Sequence, residues 1–190
     1  MRITGGRARG HRLTLPGRAA GGIRPTSDRV REALFSILGA RVADSMVLDL
    51  FAGTGALGME AISRGARHAV FVDRSPAALE VIRTNLGRCF PDPPASLLRL
   101  DLARRGALAR LTAWMPAGVR FDLVFLDPPY KKNLAQPVLE MVDNAGILTP
   151  GALVVAEEER NQKLPPATRR LQLVDQRRYG GTGLWIYQHT

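Results

Sequence analysis

The sequence predicts an α/β fold: a mostly parallel seven-stranded sheet with helices on both faces and an antiparallel hairpin at its C-terminal end. Three observations predict it. Short, nearly continuous apolar runs recur at 46–51, 68–73, 96–101, 121–127 and 151–157, the pattern of strands buried on both faces. Helix-length segments near 56–65, 76–88, 103–114 and 134–144 separate them, as parallel neighbours require. The closing stretches 170–177 and 183–188 are strand-like but joined only by the turn-rich RYGGT, which leaves no room for a crossover helix.

The chain opens with a basic, glycine-dense arm over 1–23, and a single domain is expected over 24–190. Residues 1–31 hold eight arginines, including Arg2, Arg9, Arg12 and Arg18, against one acid, Asp28, and the whole chain carries a formal charge of +10. Such an arm suggests a polyanion partner. Charge alone leaves a solvated, partly disordered tail equally open.

RPTSDRVREALFSIL, residues 24–38, reads as a helix. Pro25 ends the preceding segment, Thr26 or Ser27 can cap, and Asp28 suits the positive end of the helix dipole. Val30, Ala33, Leu34, Ile37 and Leu38 form the apolar stripe. Arg29 and Arg31 fall off that stripe and are expected to remain available to a ligand. The helix from 76 has Ser75 as cap and Pro76 at its first position.

One cysteine, Cys89, and three scattered histidines offer neither an internal disulfide nor a metal cluster, so no metal is expected. A reducing cytoplasm is the simplest compartment. No secretory signal is visible, and no apolar run approaches the roughly 20 residues a bilayer needs.

Gly53-Thr54-Gly55-Ala56-Leu57-Gly58 matches G-x-G-x-x-G directly after one strand and at the start of a helix, and the next strand ends in Asp73, twenty residues after Gly53. Glycines let backbone approach a nucleotide, helix N–H groups face it, and the acid is placed to hold ribose hydroxyls. A nicotinamide dehydrogenase uses the same loop for pyrophosphate. Asp49, four residues before Gly53, is a poor neighbour for pyrophosphate and a good one for a cationic amino group, which favours S-adenosylmethionine. Asp101 ends the third strand, where it can accept from an adenine amino group or cap the segment from 103.

Asp127 lies at the tip of the fourth strand, followed by Pro128, Pro129 and Tyr130. Prolines fix φ and lack an N–H, so they form a stiff corner with unclaimed carbonyls. Methyl transfer to an exocyclic ring amine needs its nitrogen to become more tetrahedral. The Asp127 carboxylate and Pro128 carbonyl can grip both N–H hydrogens, Tyr130 can stack on the base, and Lys131 and Lys132 can meet phosphates. A strand-ending turn with a core tyrosine is the plainer reading of the same residues.

In these motifs the chain resembles class I adenosylmethionine-dependent methyltransferases with a (D/N)-P-P-(Y/F) signature. More closely, it resembles the bacterial 16S ribosomal RNA guanine-N2 methyltransferases, through RITGGRARGHRL, RPTSDRVREALF, LDLFAGTGALGMEAISRGA, DPPY and LWIYQ. The resemblance implies a Rossmann-like class I methyltransferase fold. It also implies S-adenosylmethionine contacts at Asp49, Phe51, Gly53, Gly55, Asp73, Arg74, Asp101 and Leu102. Target-amine contacts follow at Asp127, Pro128 and Tyr130, and an RNA-facing set at Arg9, Arg24, Thr26, Asp28, Arg29, Lys131 and Lys132. The implied partner is 16S ribosomal RNA or the assembling small subunit, without a membrane, and a monomer is expected. The loop 159–168 and the stretch 90–96 carry no recognised motif. A DNA adenine-N6 or cytosine-N4 methyltransferase is the main alternative, since DPPY is shared; a dehydrogenase and a catalytically silent nucleic-acid-binding module are the others.

Overall fold

The computed structural model describes residues 1–15, 27–129 and 132–190. Its elements are α1 (Asp28–Leu38), β1 (Met46–Leu50), α2 (Ala56–Ser63), β2 (His68–Asp73), α3 (Pro76–Cys89), β3 (Ala95–Arg99), α4 (Ala107–Trp114), β4 (Phe121–Leu126), α5 (Ala135–Asn144), β5 (Leu148–Glu159), β6 (Leu171–Tyr179) and β7 (Thr182–His189). The strand order is β3-β2-β1-β4-β5-β7-β6, a seven-stranded mixed sheet, as expected from the alternation of apolar runs and helices. The chain divides into two compact units, Met1–Arg99 and Leu100–Thr190.

In the first unit β1, β2 and β3 are parallel, with Leu48 opposite Val70 and Val70 opposite Ser96. Helix α2 packs on β1 and β2, and α3 on β2 and β3. Every residue of α2 is buried, so its sequence ALGMEAIS is apolar all round except for Glu60 and Ser63. Ser27 caps α1, its hydroxyl accepting from the Val30 N–H at 3.2 Å. The expected stripe shifts slightly: Phe35 is buried and Ile37 is exposed.

Arg31 corrects the expectation that it would be free for a ligand. It is fully buried, its Nε donating to Glu60 Oε2 at 3.4 Å and its Nη2 to Asp28 Oδ1 at 3.0 Å and to the Arg2 carbonyl. The physical reason is Glu60, a fully buried carboxylate whose burial would be costly without a cation. Arg64 Nε also donates to Glu60 Oε1, at 2.8 Å.

The same carboxylate holds the opening of the chain. Thr4 donates to it twice, from N to Oε2 and from Oγ1 to Oε1, each at 2.8 Å. Ser63 accepts from the Ala8 N–H and donates to the Gly5 carbonyl, at 2.9 and 2.6 Å, while its own carbonyl accepts from the Arg7 N–H. Gly6 has φ 74°, and a Cβ there would lie 1.9 Å from the Ser63 carbonyl oxygen, so only glycine fits. Further on, the buried Asn85 of α3 exchanges two hydrogen bonds with the Thr14 backbone. Ile3, Ala8 and Leu13 are buried, so residues 1–15 form a docked turn and not the solvated tail that charge also allowed.

In the second unit β4 and β5 are parallel, and β5-β7-β6 is antiparallel, which is the expected terminal hairpin. Helix α4 starts at Ala107, behind Gly106 (φ 76°), and not at 103, because residues 101–104 form a separate turn. The loop after β5 is anchored: Asp143 Oδ2 accepts from Thr168 Oγ1 at 2.6 Å and the Arg170 N–H at 3.0 Å, and Tyr187 donates to the Pro165 carbonyl at 2.8 Å. Among the described residues no helix is long and apolar enough to cross a membrane.

Candidate functional site

The glycine loop is built from two carboxylates. Asp49, near the end of β1, is 2% exposed, and its Oδ2 accepts from the Gly58 N–H at 2.9 Å. Gly58 is the third residue of α2, so this carboxyl occupies the N-terminal end of the helix, where a pyrophosphate would sit in a dinucleotide site. A Cβ at Gly58 would fall 2.3 Å from the Phe71 ring and 3.1 Å from Asp49 Oδ2. The third glycine of the motif therefore allows close helix-to-strand packing.

Asp73 ends β2 and secures the other side. Its Oδ2 accepts from the Gly53 N–H at 2.9 Å and its Oδ1 from the Ser75 N–H at 2.8 Å. Each oxygen keeps a second lone pair with which to accept from a hydroxyl. Gly53 (φ 53°), Gly55 (φ 74°) and the non-glycine Phe51 (φ 61°) all take left-handed backbone in this one loop. A left-handed phenylalanine is unusual enough to mark a constrained site.

Burial drives the Asp49 carboxyl up to about 8; the Gly58 hydrogen bond works against this, and the Asp73 charge adds to it. The Asp73 charge disfavours ionisation of Asp49, and a cation placed over the loop relieves that repulsion. The first unit thus brings together Asp49, Phe51, Gly53, Gly55 and Asp73. Arg74, next to Asp73, is exposed, and its carbonyl accepts from Arg99 Nε at 3.4 Å.

In the second unit Asp101 caps its own turn, Oδ1 accepting from the Ala103 N–H at 3.2 Å and Oδ2 lying 3.7 Å from Arg104 Nε. Leu102 is buried. Asp127 is half-buried and engaged, Pro128 is buried and Pro129 exposed at the end of β4. Lys132 is exposed. Tyr130, Lys131, Arg24 and Thr26 lie outside the described residues.

Of the remaining expected RNA-facing residues, Arg9 and Arg29 are exposed. Asp28 is occupied otherwise, accepting from Arg31 Nη2 and, at 3.4 Å, from the Arg2 N–H. Sequence reasoning missed Glu60, Ser63 and Asn85 as the fittings of the opening segment. The available signal was a lone glutamate in an otherwise apolar helix, which must find a cation somewhere in the fold.

Comparison with known proteins shows the family. The family model described as conserved hypothetical protein 95 matches residues 1–188. Ribosomal RNA small subunit methyltransferase D of Escherichia coli (strain K12) is 32% identical over 99% of this chain and 89% of that protein. The Haemophilus influenzae protein of the same name is 34% identical over 86% of this chain and 81% of its own length. A solved hypothetical protein of Thermus thermophilus superposes with TM-score 0.79 at 33% identity, covering 98% of each chain. SMU.776, a structure solved with SAH, shares the fold alone, at TM-score 0.65 and 17% identity over 84% of this chain and 48% of that one. With its family model spanning nearly every residue and its relatives matched along most of their lengths, this chain belongs to the conserved hypothetical protein 95 family of methyltransferases.

Proposed function

We propose that this protein transfers a methyl group from S-adenosylmethionine to the exocyclic N2 amine of a guanine in small-subunit ribosomal RNA, acting as a cytoplasmic monomer. The observation that carries the reading is the Asp49 carboxyl seated on the Gly58 N–H. It fills the anion seat of the helix, which argues against a dinucleotide. It also asks for a cation, which the amino acid end of S-adenosylmethionine provides. Asp73 takes the ribose hydroxyls, and Asp101 takes the adenine amine with the lone pairs its turn leaves open. Relatives named for ribosomal RNA of the small subunit support the substrate class.

The chemistry asked of the protein is positioning. Asp127 and the Pro128 carbonyl accept the two amine hydrogens and hold the nitrogen lone pair in line with the methyl–sulfur bond; the amine proton leaves to solvent once the product is cationic. Alignment of this kind supplies up to about 7–11 kcal/mol. Tyr130 stacks on the base, adding roughly 1–3 kcal/mol. Arg9, Arg24, Arg29, Lys131 and Lys132 meet phosphates, with Thr26 and Asp28 at the mouth of the site.

The test offers labelled S-adenosylmethionine with assembled small subunits, naked ribosomal RNA and duplex DNA, followed by nuclease mapping of the labelled base. Label at guanine N2 in ribosomal RNA is expected. Label confined to DNA rejects the proposal in favour of a DNA amine methyltransferase.

A further inference from the structure

We infer that a polar cleft at the carboxyl end of β5 receives the Watson–Crick edge of the target guanine, with Glu158 as the acceptor that selects guanine. This rests on the guanine-N2 reading above and extends it from the amine to the identity of the base.

The cleft measures about 280 Å³ and lies within the second unit. That is close to the lower bound of about 300 Å³ for small-ligand sites, suited to one base and not to a whole dinucleotide. Its polar lining is Asn133, Gln136, Glu140, Glu158, Gln162 and Lys163. Asn133 (φ 50°) turns the chain between the Asp127-Pro128-Pro129 elbow and α5. The last β4–β5 pair is Leu126 with Ala156, and the two strands are parallel, so β4 runs into Asp127 at the same sheet edge at which β5 continues to Glu158. The cleft therefore opens at the strand end that carries the elbow.

Glu158 is 3% exposed, yet the hydrogen bond found for its carboxyl among the described residues is the Glu159 N–H to Oε1, at 3.0 Å. Its Oε2 is not among the buried unpartnered atoms of the described residues, so that oxygen keeps contact with solvent at the cleft. Burial raises the carboxyl's pKa, opposed by that N–H and helped by the Glu159 charge. Serving only its neighbour's N–H would not need a carboxylate, because a glutamine oxygen would do the same. Glu140, by contrast, is already engaged by Gln136 Nε2 at 2.9 Å.

Guanine presents a donor at N1, beside the N2 amine, and acceptors at O6 and N7; adenine at N1 and cytosine at N3 present acceptors. With the N2 hydrogens on Asp127 and Pro128, the adjacent N1–H falls to Glu158. Lys163 and the Gln162 amide then donate to O6 and N7. A carboxylate repels the acceptor that adenine or cytosine would place there, so the cleft makes the distinction that the elbow, which accepts any ring amine, does not.

The test uses the RNA or subunit on which the wild-type protein acts, carrying either guanine or 2-aminopurine at the mapped position. 2-Aminopurine keeps the reactive amine but has an acceptor at N1 and no O6. Wild-type protein is expected to favour guanine by roughly 5- to 150-fold in kcat/KM. Glu158→Gln, which can still accept from Glu159 and now donates to N1, should lose that preference by a comparable factor, with calorimetric affinity for S-adenosylmethionine unchanged. Lys163→Met should slow transfer to guanine and leave 2-aminopurine unaffected. An unchanged ratio in a Glu158→Gln protein that binds cofactor overturns the inference. If that variant does not fold, equal loss on both bases in Lys163→Met overturns it instead. A wild-type protein that leaves RNA guanine unlabelled overturns the parent reading as well, which separates the two failures.

Discussion

With Asp49 assigned to the cofactor's amino group as proposed, its protonation links folding to cofactor binding. An aspartate unfolds to a pKa of 3.8 and is held at about 8 here, so the folded form binds the extra proton between those values. Stability of the unliganded protein therefore falls as pH rises from about 4 to about 8, and is level beyond. Asp49→Asn keeps an oxygen for the Gly58 N–H and removes the charge. It should melt above the wild type at pH 8, by about 2–4 °C per kcal/mol recovered, while losing affinity for S-adenosylmethionine. For the wild type, calorimetry in buffers of different ionisation enthalpy should show a proton released on cofactor binding at pH 7, fading above pH 8. Asp127→Ala is the complementary case: transfer is abolished, and cofactor affinity is retained because Asp127 is assigned to the amine. Equal loss of both in filter-binding and transfer assays would make Asp127 structural.

At the scale of elements, the docking of residues 1–15 on α2 and α3 combines the buried Glu60 charge cluster with the Ser63 and Asn85 hydrogen bonds. Glu60→Ala removes the buried acceptor shared by Arg31, Arg64 and Thr4, leaves Arg31 its ion pair with Asp28, and should cost about 3–5 kcal/mol, read by urea denaturation. The double change Glu60→Leu with Arg31→Met should recover only part of that loss, since the Thr4 N–H and Arg64 Nε still lose their acceptor. Here the limits of reading a sequence are physical. Strands and helices were legible because their periodicity is local, and Asp49, Gly53 and Asp73 were legible because a strand-loop-helix order fixes where they go. The shift of α4 to Ala107 was not, because Asp101 capping a separate turn looks the same in sequence as Asp101 capping a helix. Arg31 was misread because its partner Glu60 is 29 residues away, and the cleft at Glu158 was invisible because it needs β5, α5 and an anchored loop together.

For the whole molecule, the charge of +10 is what an RNA partner meets first, and the structure changes how that charge is to be tested. Deleting the opening residues would remove a packed part of the first unit along with its arginines. Substituting the exposed Arg9 and Arg12 by glutamine leaves the docked turn in place. The dependence of RNA affinity on salt should then become shallower, by about 0.7 in a plot of log K against log salt for each phosphate that an arginine had neutralised. An unchanged slope would mean that these arginines face solvent and not RNA.

The docked opening also sets an order of events for a chain made from its N-terminus. Thr4, Ala8 and Thr14 bond to residues 55 to 71 positions later, so nothing exists for them to hold until α2 and α3 have emerged. Throughout that interval the segment is a loose polycation, made on a machine whose surface is polyanionic. Native packing must therefore win the segment back from ionic capture, and refolding of the purified protein should slow when nucleic acid is added at low salt and recover when salt is raised.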